Sequence, residues 1–266
     1  MKLRPVDRKT RIKLDDDAAQ PPKSAPEGAE LAQRIKRQEK RIGELQKALY
    51  ADRRHAVLIV LQGRDAAGKD GTVKHVFKAV DPQGCMVTSF GVPSAEETRH
   101  DYLWRIHPHV PPRGVIGIFN RSHYEDVIVP RVHKTISPAE LERRYHQIND
   151  FERMLVENGT VVLKFFLHIS KDEQRRRLED RLANPKKNWK FRPGDLEDRA
   201  LWDEYTAAYR AALSHCSTKW APWYVVPADH KKVRNLLVSR VITERLEALK
   251  LRYPKAAKEV VGLKVE

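Results

Sequence analysis

Ten consecutive residues, Gly63-Arg64-Asp65-Ala66-Ala67-Gly68-Lys69-Asp70-Gly71-Thr72, carry the clearest chemical signal in the chain. Gly63 and Gly68 bracket four residues and Lys69 follows, which is the G-x-x-x-x-G-K spacing of a phosphate-binding loop. Glycines let such a turn aim its backbone N–H groups inward, where they meet the positive end of the next helix and cradle an anion. The pattern usually ends in a Ser or Thr hydroxyl for Mg²⁺; here the position is Asp70, and Asp65 adds a second carboxylate inside the loop. Either a carboxylate holds the ion in this chain or the match is accidental.

A second group follows an apolar run, at Asn120-Arg121-Ser122-His123-Tyr124-Glu125-Asp126. Polar residues at the C-terminal end of a buried strand are where an open α/β sheet places its ligand. Phosphoryl transfer needs a lysine on the phosphates and a metal held by a carboxylate from a neighbouring strand, because the reaction is positioning plus charge neutralisation. Asp65, Lys69, Arg121 and Asp126 are therefore read as the candidate catalytic set, with a metal carboxylate expected at the end of the apolar run. Glu125 is adjacent, so either acid could be the ligand and the other its support. Arg121, Arg131 and the loop's own Arg64 are candidate clamps for phosphate oxygens.

The third group is the stretch 171–192, with nine basic against four acidic side chains. Its helical part reads as a solvated face with i,i+4 pairs, Arg177 and Arg181 near Glu179 and Asp180 among them. Its loop, with Pro185, Pro193 and Gly194, is expected to close over phosphates as a lid that excludes water, presenting Arg181, Lys187, Lys190 and Arg192. Trp189 and Phe191 could stack a base, although loop aromatics more often anchor packing. His107, His109, His123 and His133 have no partnering cysteine cluster, and zinc is not expected.

The elements that must position these groups alternate strand and helix. Apolar runs at 56–62, 85–90, 114–119, 160–169 and 223–226 predict five strands. Helical spacing or caps predict helices at 28–52, 72–80, from Ser94 to before Pro108, 137–157, 170–183, 196–214 and 231–249. The expected fold is a three-layer α/β/α domain of the P-loop kinase type, with a mostly parallel five-stranded sheet, spanning residues 28–266 with the lid at about 171–195. Residues 1–27, polar and interrupted by Pro5, Pro21, Pro22 and Pro26, read as an arm without a core of its own.

Among 266 residues, 51 Lys and Arg against 36 Asp and Glu give a net charge of +15, which calls for a polyanionic partner. No apolar run approaches the roughly 18 residues of a membrane span, and the first residues lack the apolar stretch of a secretory signal. Two cysteines without C-x-x-C spacing fit a reducing cytoplasm. No nucleic-acid-binding motif is present, so a specific nucleic acid is not expected.

With these motifs in hand, the chain resembles the polyphosphate kinase 2 family over roughly residues 45–249. The resemblance rests on the 63–72 loop, on Phe119 to Val127 (FNRSHYEDV), on Lys164 to Ser170 (KFFLHIS), and on Lys187-Asn188-Trp189-Lys190-Phe191 with Gly194-Asp195-Leu196. It implies a Mg²⁺-dependent kinase that moves phosphoryl groups between inorganic polyphosphate and nucleotides. ADP and ATP are the implied partners, with AMP and guanine nucleotides left open. By the same resemblance Asp65 and Asp126 are the Mg²⁺ carboxylates, Lys69 is the loop lysine, Arg121 and Arg131 are phosphate clamps, and residues 181–192 fall in the lid. Asp70 agrees with the family rather than with the general loop pattern, and the family implies a homo-oligomer. An ATP-dependent small-molecule kinase without a polyphosphate groove is the main alternative, and a basic nucleic-acid-binding module the other.

Overall fold

The computed structural model describes residues 2–7, 10–257 and 259. Strand β1 (Ala56–Gln62) is buried at every position, as an apolar run flanked on both faces must be. It lies at the centre of a five-stranded, wholly parallel sheet in the order β2-β3-β1-β4-β5. The other strands are β2 (Cys85–Ser89), β3 (Ile116–Asn120), β4 (Thr160–His168) and β5 (Trp223–Pro227). The chain moves outward from β1 to β2, returns through β3, and crosses β1 to reach β4. That reversal opens a crevice at the C-terminal ends of β1, β3 and β4.

Alternation along β1 divides the core in two. Val57, Ile59 and Leu61 face α1 (Gly28–Asp52), α2 (Lys69–Val76) and α8 (Lys231–Ala248). Leu58 and Val60 face the opposite layer, with α3 (Glu125–Val132), α4 (Pro138–Glu157) and α7 (Trp202–Cys216). Helix α5 (Lys171–Ala183) and the short α6 (Gly194–Ala200) flank the 184–193 loop above the crevice. Ser137 and Ser170 cap α4 and α5 by accepting from the Glu140 and Glu173 amides. No helix among the described residues is long and apolar enough to cross a membrane.

Three helix expectations need correction. The Ser94–Glu97 capping box forms, with the Ser94 amide 2.7 Å from the Glu97 carboxylate, but it starts only a single 3₁₀ turn at Glu97–Arg99. The Asp101 carboxylate then accepts from the Leu103 and Trp104 amides, which starts a separate turn and interrupts any longer helix. Helix α2 begins at Lys69, inside the glycine loop, and ends at Val76. The expected 196–214 helix is two helices, divided at Leu201.

Helix α3 has no counterpart among the expected helices, and Pro130, which disfavours a helix interior, sits inside it. A proline there leaves the carbonyl four residues back without its helical donor. That carbonyl belongs to Asp126, and Arg144 Nη1 donates to it at 2.9 Å.

Candidate active site

The register of the sheet sets the site. Leu61 of β1 lies opposite Asn120 of β3, so both chains leave the sheet side by side, and the Arg121 amide donates to the Leu61 carbonyl at 3.1 Å. Gly63 follows β1 where an added Cβ would meet the Leu167 carbonyl at 2.7 Å. Gly68 has φ of +100°, and a Cβ there would lie 2.0 Å from Arg234 Nη1. The loop also takes Ala66 into the left-handed region at φ 61°, and Arg121 does the same at φ 64°. Two non-glycine residues in that region within one site mark backbone that the surroundings hold in place.

Lys69 is buried, and its ammonium donates to the loop's own carbonyls, Gly63 at 2.6 Å and Arg64 at 3.3 Å. Burial, and then the neighbouring Arg121, push its pKa down. Arg121 Nη2 donates to Asp65 Oδ1 at 2.7 Å, and Nη1 lies 3.7 Å from Glu125. Burial pushes the Glu125 carboxyl up, against the pull of Arg121 and Lys69. Asp65, Lys69, Arg121 and Glu125 thus share one pocket of charge at the loop.

Asp126 is placed differently. On the first turn of α3 it turns away from the loop to Arg105, 3.3 Å away, and burial pushes its pKa up despite that arginine. Arg64 also leaves the loop: its guanidinium stacks 3.9 Å over the Trp202 ring and donates to the Trp202 carbonyl and the Thr206 hydroxyl. Burial lowers its pKa to about 10. The Thr72 hydroxyl donates to the Gly68 carbonyl, and Gly71 lies against Arg234. Arg131 is exposed in the last turn of α3, near the Tyr145 hydroxyl and apart from the loop.

The basic stretch reaches the loop through particular contacts. Lys190 Nζ lies 3.0 Å from the Asp70 carboxylate, which also accepts from Asn120 at 2.8 Å. Burial works against the Asp70 anion, but the bonds from Asn120 and Lys190 prevail and lower its pKa. Arg181 holds Asp195 at 3.2 Å, and Asp195 is raised by burial and then by the nearby Asp65. Lys187 and Arg192 are exposed on the connecting loop, and Trp189 projects into solvent.

Two arginines support the loop from beneath, Arg177, expected on a solvated helix face, and Arg234, which the sequence analysis does not single out. Arg177 is buried instead of solvated: Nη1 donates to the Ala66 and Ala67 carbonyls at 2.9 and 3.1 Å, and Nη2 to those of Ala228 and Asp229 at 2.7 and 2.9 Å. Arg234 Nη1 donates to the Ala67 carbonyl at 3.1 Å, and burial lowers its pKa to about 9. A signal for Arg234 exists in the sequence, since it shares a helical stripe with Leu237, Val238 and Val241 and is charged where its neighbours are apolar. Arg177 gives no such signal, because Leu178 is the only apolar buried residue of α5.

A parallel sheet in this order, with a glycine loop leaving its central strand into a helix and a lysine, arginine and two carboxylates around it, defines a P-loop phosphotransferase of the kinase type. The family narrows further. The profile described as polyphosphate kinase 2 matches residues 27–254, and the chain belongs to that family. It is 56% identical over 215 residues, 81% of this chain and 80% of the relative, to the AMP/ADP-polyphosphate phosphotransferase of Meiothermus ruber. It is 49% identical over 232 residues, 83% and 80% of the two chains, to the ADP-polyphosphate phosphotransferase of Rhodopseudomonas palustris. The crystal structure of polyphosphate kinase 2 from Arthrobacter aurescens TC1 superposes with a TM-score of 0.87 at 43% identity, over 96% of this chain and 88% of that one.

Proposed function

We propose that this chain transfers a phosphoryl group between inorganic polyphosphate and the terminal phosphate of a nucleotide, taking ADP and AMP as acceptors. The observation that carries the reading is the meeting of Lys69, Asp65 and Arg121 at one glycine loop, with Lys190 reaching that loop from the basic stretch at Asp70. The names of the two relatives, at 56% and 49% identity, support the same chemistry.

A terminal phosphate oxygen is already anionic at neutral pH, so its attack needs no general base. The barrier lies in bringing two polyanions together, which fixed cations and inward-facing amides offset. The acceptor oxygen bonds to the end phosphorus of polyphosphate while the bridging P–O bond breaks. The shortened chain keeps that bond's electron pair as its new terminal oxygen. Lys69 exchanges the Gly63 and Arg64 carbonyls for phosphate oxygens, Arg121 clamps the transferring group, and segment 171–195 acts as the lid, with Lys187, Lys190 and Arg192 along the polyphosphate.

The donor set suits magnesium. Among the described residues no three His, Cys, Asp or Glu side chains form a ready-made metal cluster. Magnesium is bound through one or two carboxylates with substrate phosphates and water completing its shell, so a preformed cage is not needed. Asp65 is the first carboxylate and Glu125 the second in this arrangement; Asp126 would serve by leaving Arg105. Bound there, the ion would neutralise charge on the transferring group.

The deciding experiment follows ADP and ATP formed from polyphosphate with AMP and with ADP as separate acceptors, in Mg²⁺ and then in chelator. Mg²⁺-dependent product from both supports the full reading, and product from one fixes the acceptor. No product from either, with the protein folded, overturns it and returns the chain to an ATP-dependent kinase.

A further inference from the structure

The arm lies almost wholly outside the family match, which starts at residue 27, yet its described residues are bound closely to the domain. Its first part runs along β5: the Val6 amide donates to the Trp223 carbonyl at 2.8 Å, and the Ser217 hydroxyl donates to the Val6 carbonyl at 2.8 Å. Leu14 and Ala19 are buried. Between them the acidic row Asp15-Asp16-Asp17 crosses the C-terminal end of β4, where His168 Nε2 donates to the Asp15 carbonyl at 2.8 Å.

From there the arm meets the base of α5. The Asp16 carboxylate accepts from the Lys171 amide, the first of that helix, at 3.2 Å. The Ala19 carbonyl accepts from the Asp229 amide, and Gln20 donates to the Asp229 carboxylate at 2.6 Å. The other oxygen of Asp229 accepts from the Ser170 amide at 2.9 Å. The two residues that open α5, Ser170 and Lys171, thus have their amides held by a carboxylate of the arm and by one that the arm itself grips. Orphan amides at a helix start are where such acceptors act, and a negative charge there also favours the helix dipole.

The position of α5 matters to the loop. Glu173 in its first turn accepts from Arg177 Nε at 2.7 Å, and Arg177 in turn holds the Ala66 and Ala67 carbonyls. Gln174 of the same helix donates to the Asp65 carbonyl at 3.1 Å. A continuous path of hydrogen bonds therefore runs from Asp16 through the start of α5 to the phosphate loop.

We propose that Asp16 is a positioning residue, through which the arm fixes the base of α5 and so sets where the lid closes and how Arg177 supports the loop. The inference rests on the proposed lid for its effect on polyphosphate, but its effect on α5 stands apart from any substrate. Without Asp16, the first turn of α5 frays, Arg177 loses its fixed origin, and the lid closes less readily on the polyanion.

The test uses the full chain with Asp16→Ala, Asp16→Asn and Asp17→Ala. Amide hydrogen exchange across residues 171–183, without substrate, is expected to rise about 3- to 10-fold in Asp16→Ala. KM for polyphosphate should rise by a similar factor while kcat at saturation stays within about twofold. Asp16→Asn, which keeps an acceptor oxygen, should lie close to the parent, and Asp17→Ala should match it. Unchanged exchange in α5 of Asp16→Ala, or an equal rise in Asp17→Ala, overturns the proposal. If the parent turns over no polyphosphate while α5 still responds to Asp16→Ala, the proposed function falls and the positioning role stands.

Discussion

Arg121 reaches Asp65 at 2.7 Å from a backbone held at φ 64°. The left-handed turn is what lets a residue leaving β3 present its side chain to a loop leaving β1, because the extended strand would carry it past. The conformation is disfavoured for a residue with a Cβ, and the surrounding structure maintains it. The contact pairs the arginine with the carboxylate proposed to hold the ion, so the two side chains meet at one place on the loop.

Replacement of Arg121 tests that arrangement. Arg121→Ala keeps a Cβ and so leaves the backbone strain as it is, while removing the guanidinium. Turnover of ADP with saturating polyphosphate should fall about 10²- to 10³-fold, the range for losing a fixed donor to developing charge. Arg121→Lys should fall between, since an ammonium lacks the planar fork. Parent-like kcat in Arg121→Ala, with an unchanged melting temperature, would remove Arg121 from the site.

The support beneath the loop gives a second prediction. Arg234 is a cation held against its own desolvation, with its pKa lowered to about 9, so Arg234→Met should change stability little or raise it. The Ala67 carbonyl loses one of its two donors and keeps Arg177, and KM for the nucleotide should rise several-fold. Gly68→Ala should behave differently, because its Cβ meets Arg234 at 2.0 Å and its φ of +100° suits glycine. It should lose about 1–3 kcal/mol of stability along with nucleotide binding. Paired denaturation and kinetic measurements separate the two; a large stability loss in Arg234→Met would show that the arginine is structural alone.

The contrast between these two residues shows what the sequence makes legible. Local spacing revealed the loop, because its chemistry lies in neighbouring residues and its strand and helix adjoin it. The parallel sheet followed from alternating apolar runs. The roles of Arg177, expected to be solvated, and of Arg234 are not legible, since they reach the loop from 110 and 167 residues away through tertiary contacts alone. Where Glu125 and Asp126 point is set by helix α3, which Pro130 conceals in the sequence, and the Arg144 contact that makes the proline tolerable is itself long-range.

The Asp70–Lys190 contact predicts a salt-dependent effect. Both side chains are well exposed, so the pair contributes little stability. On the proposed role of Lys190, it also places a carboxylate in competition with polyphosphate for that lysine. Asp70→Asn keeps an oxygen for Asn120 and removes the competing charge, so KM for polyphosphate should fall roughly two- to five-fold at low ionic strength. The difference should close as salt is raised. A KM that rises instead would make Asp70 a contributor to substrate or ion binding.

The last prediction concerns a charged pair buried away from the loop. Glu152 of α4 and Lys164 of β4 are wholly buried and bonded to each other, and Glu152 also accepts from the Tyr124 hydroxyl at 2.9 Å and lies 3.3 Å from His123. These two ring residues follow Arg121 and Ser122, so the pair anchors the turn that aims Arg121. Lys164→Met would leave Glu152 without its cation and should cost about 3–5 kcal/mol. Burial alone would raise the Glu152 pKa, but Lys164 and His123 overcome it and the folded value lies below the ordinary one of 4.5. A carboxylate whose pKa is depressed on folding stabilises the protein above its unfolded pKa and loses that contribution as pH falls through the folded value. Acid unfolding of the parent should therefore steepen below about pH 4.5. Glu152→Gln should lack that limb while being less stable at neutral pH, where Lys164 is left buried without its anion. Parallel acid curves for the parent and Glu152→Gln would show that this pair is not what titrates.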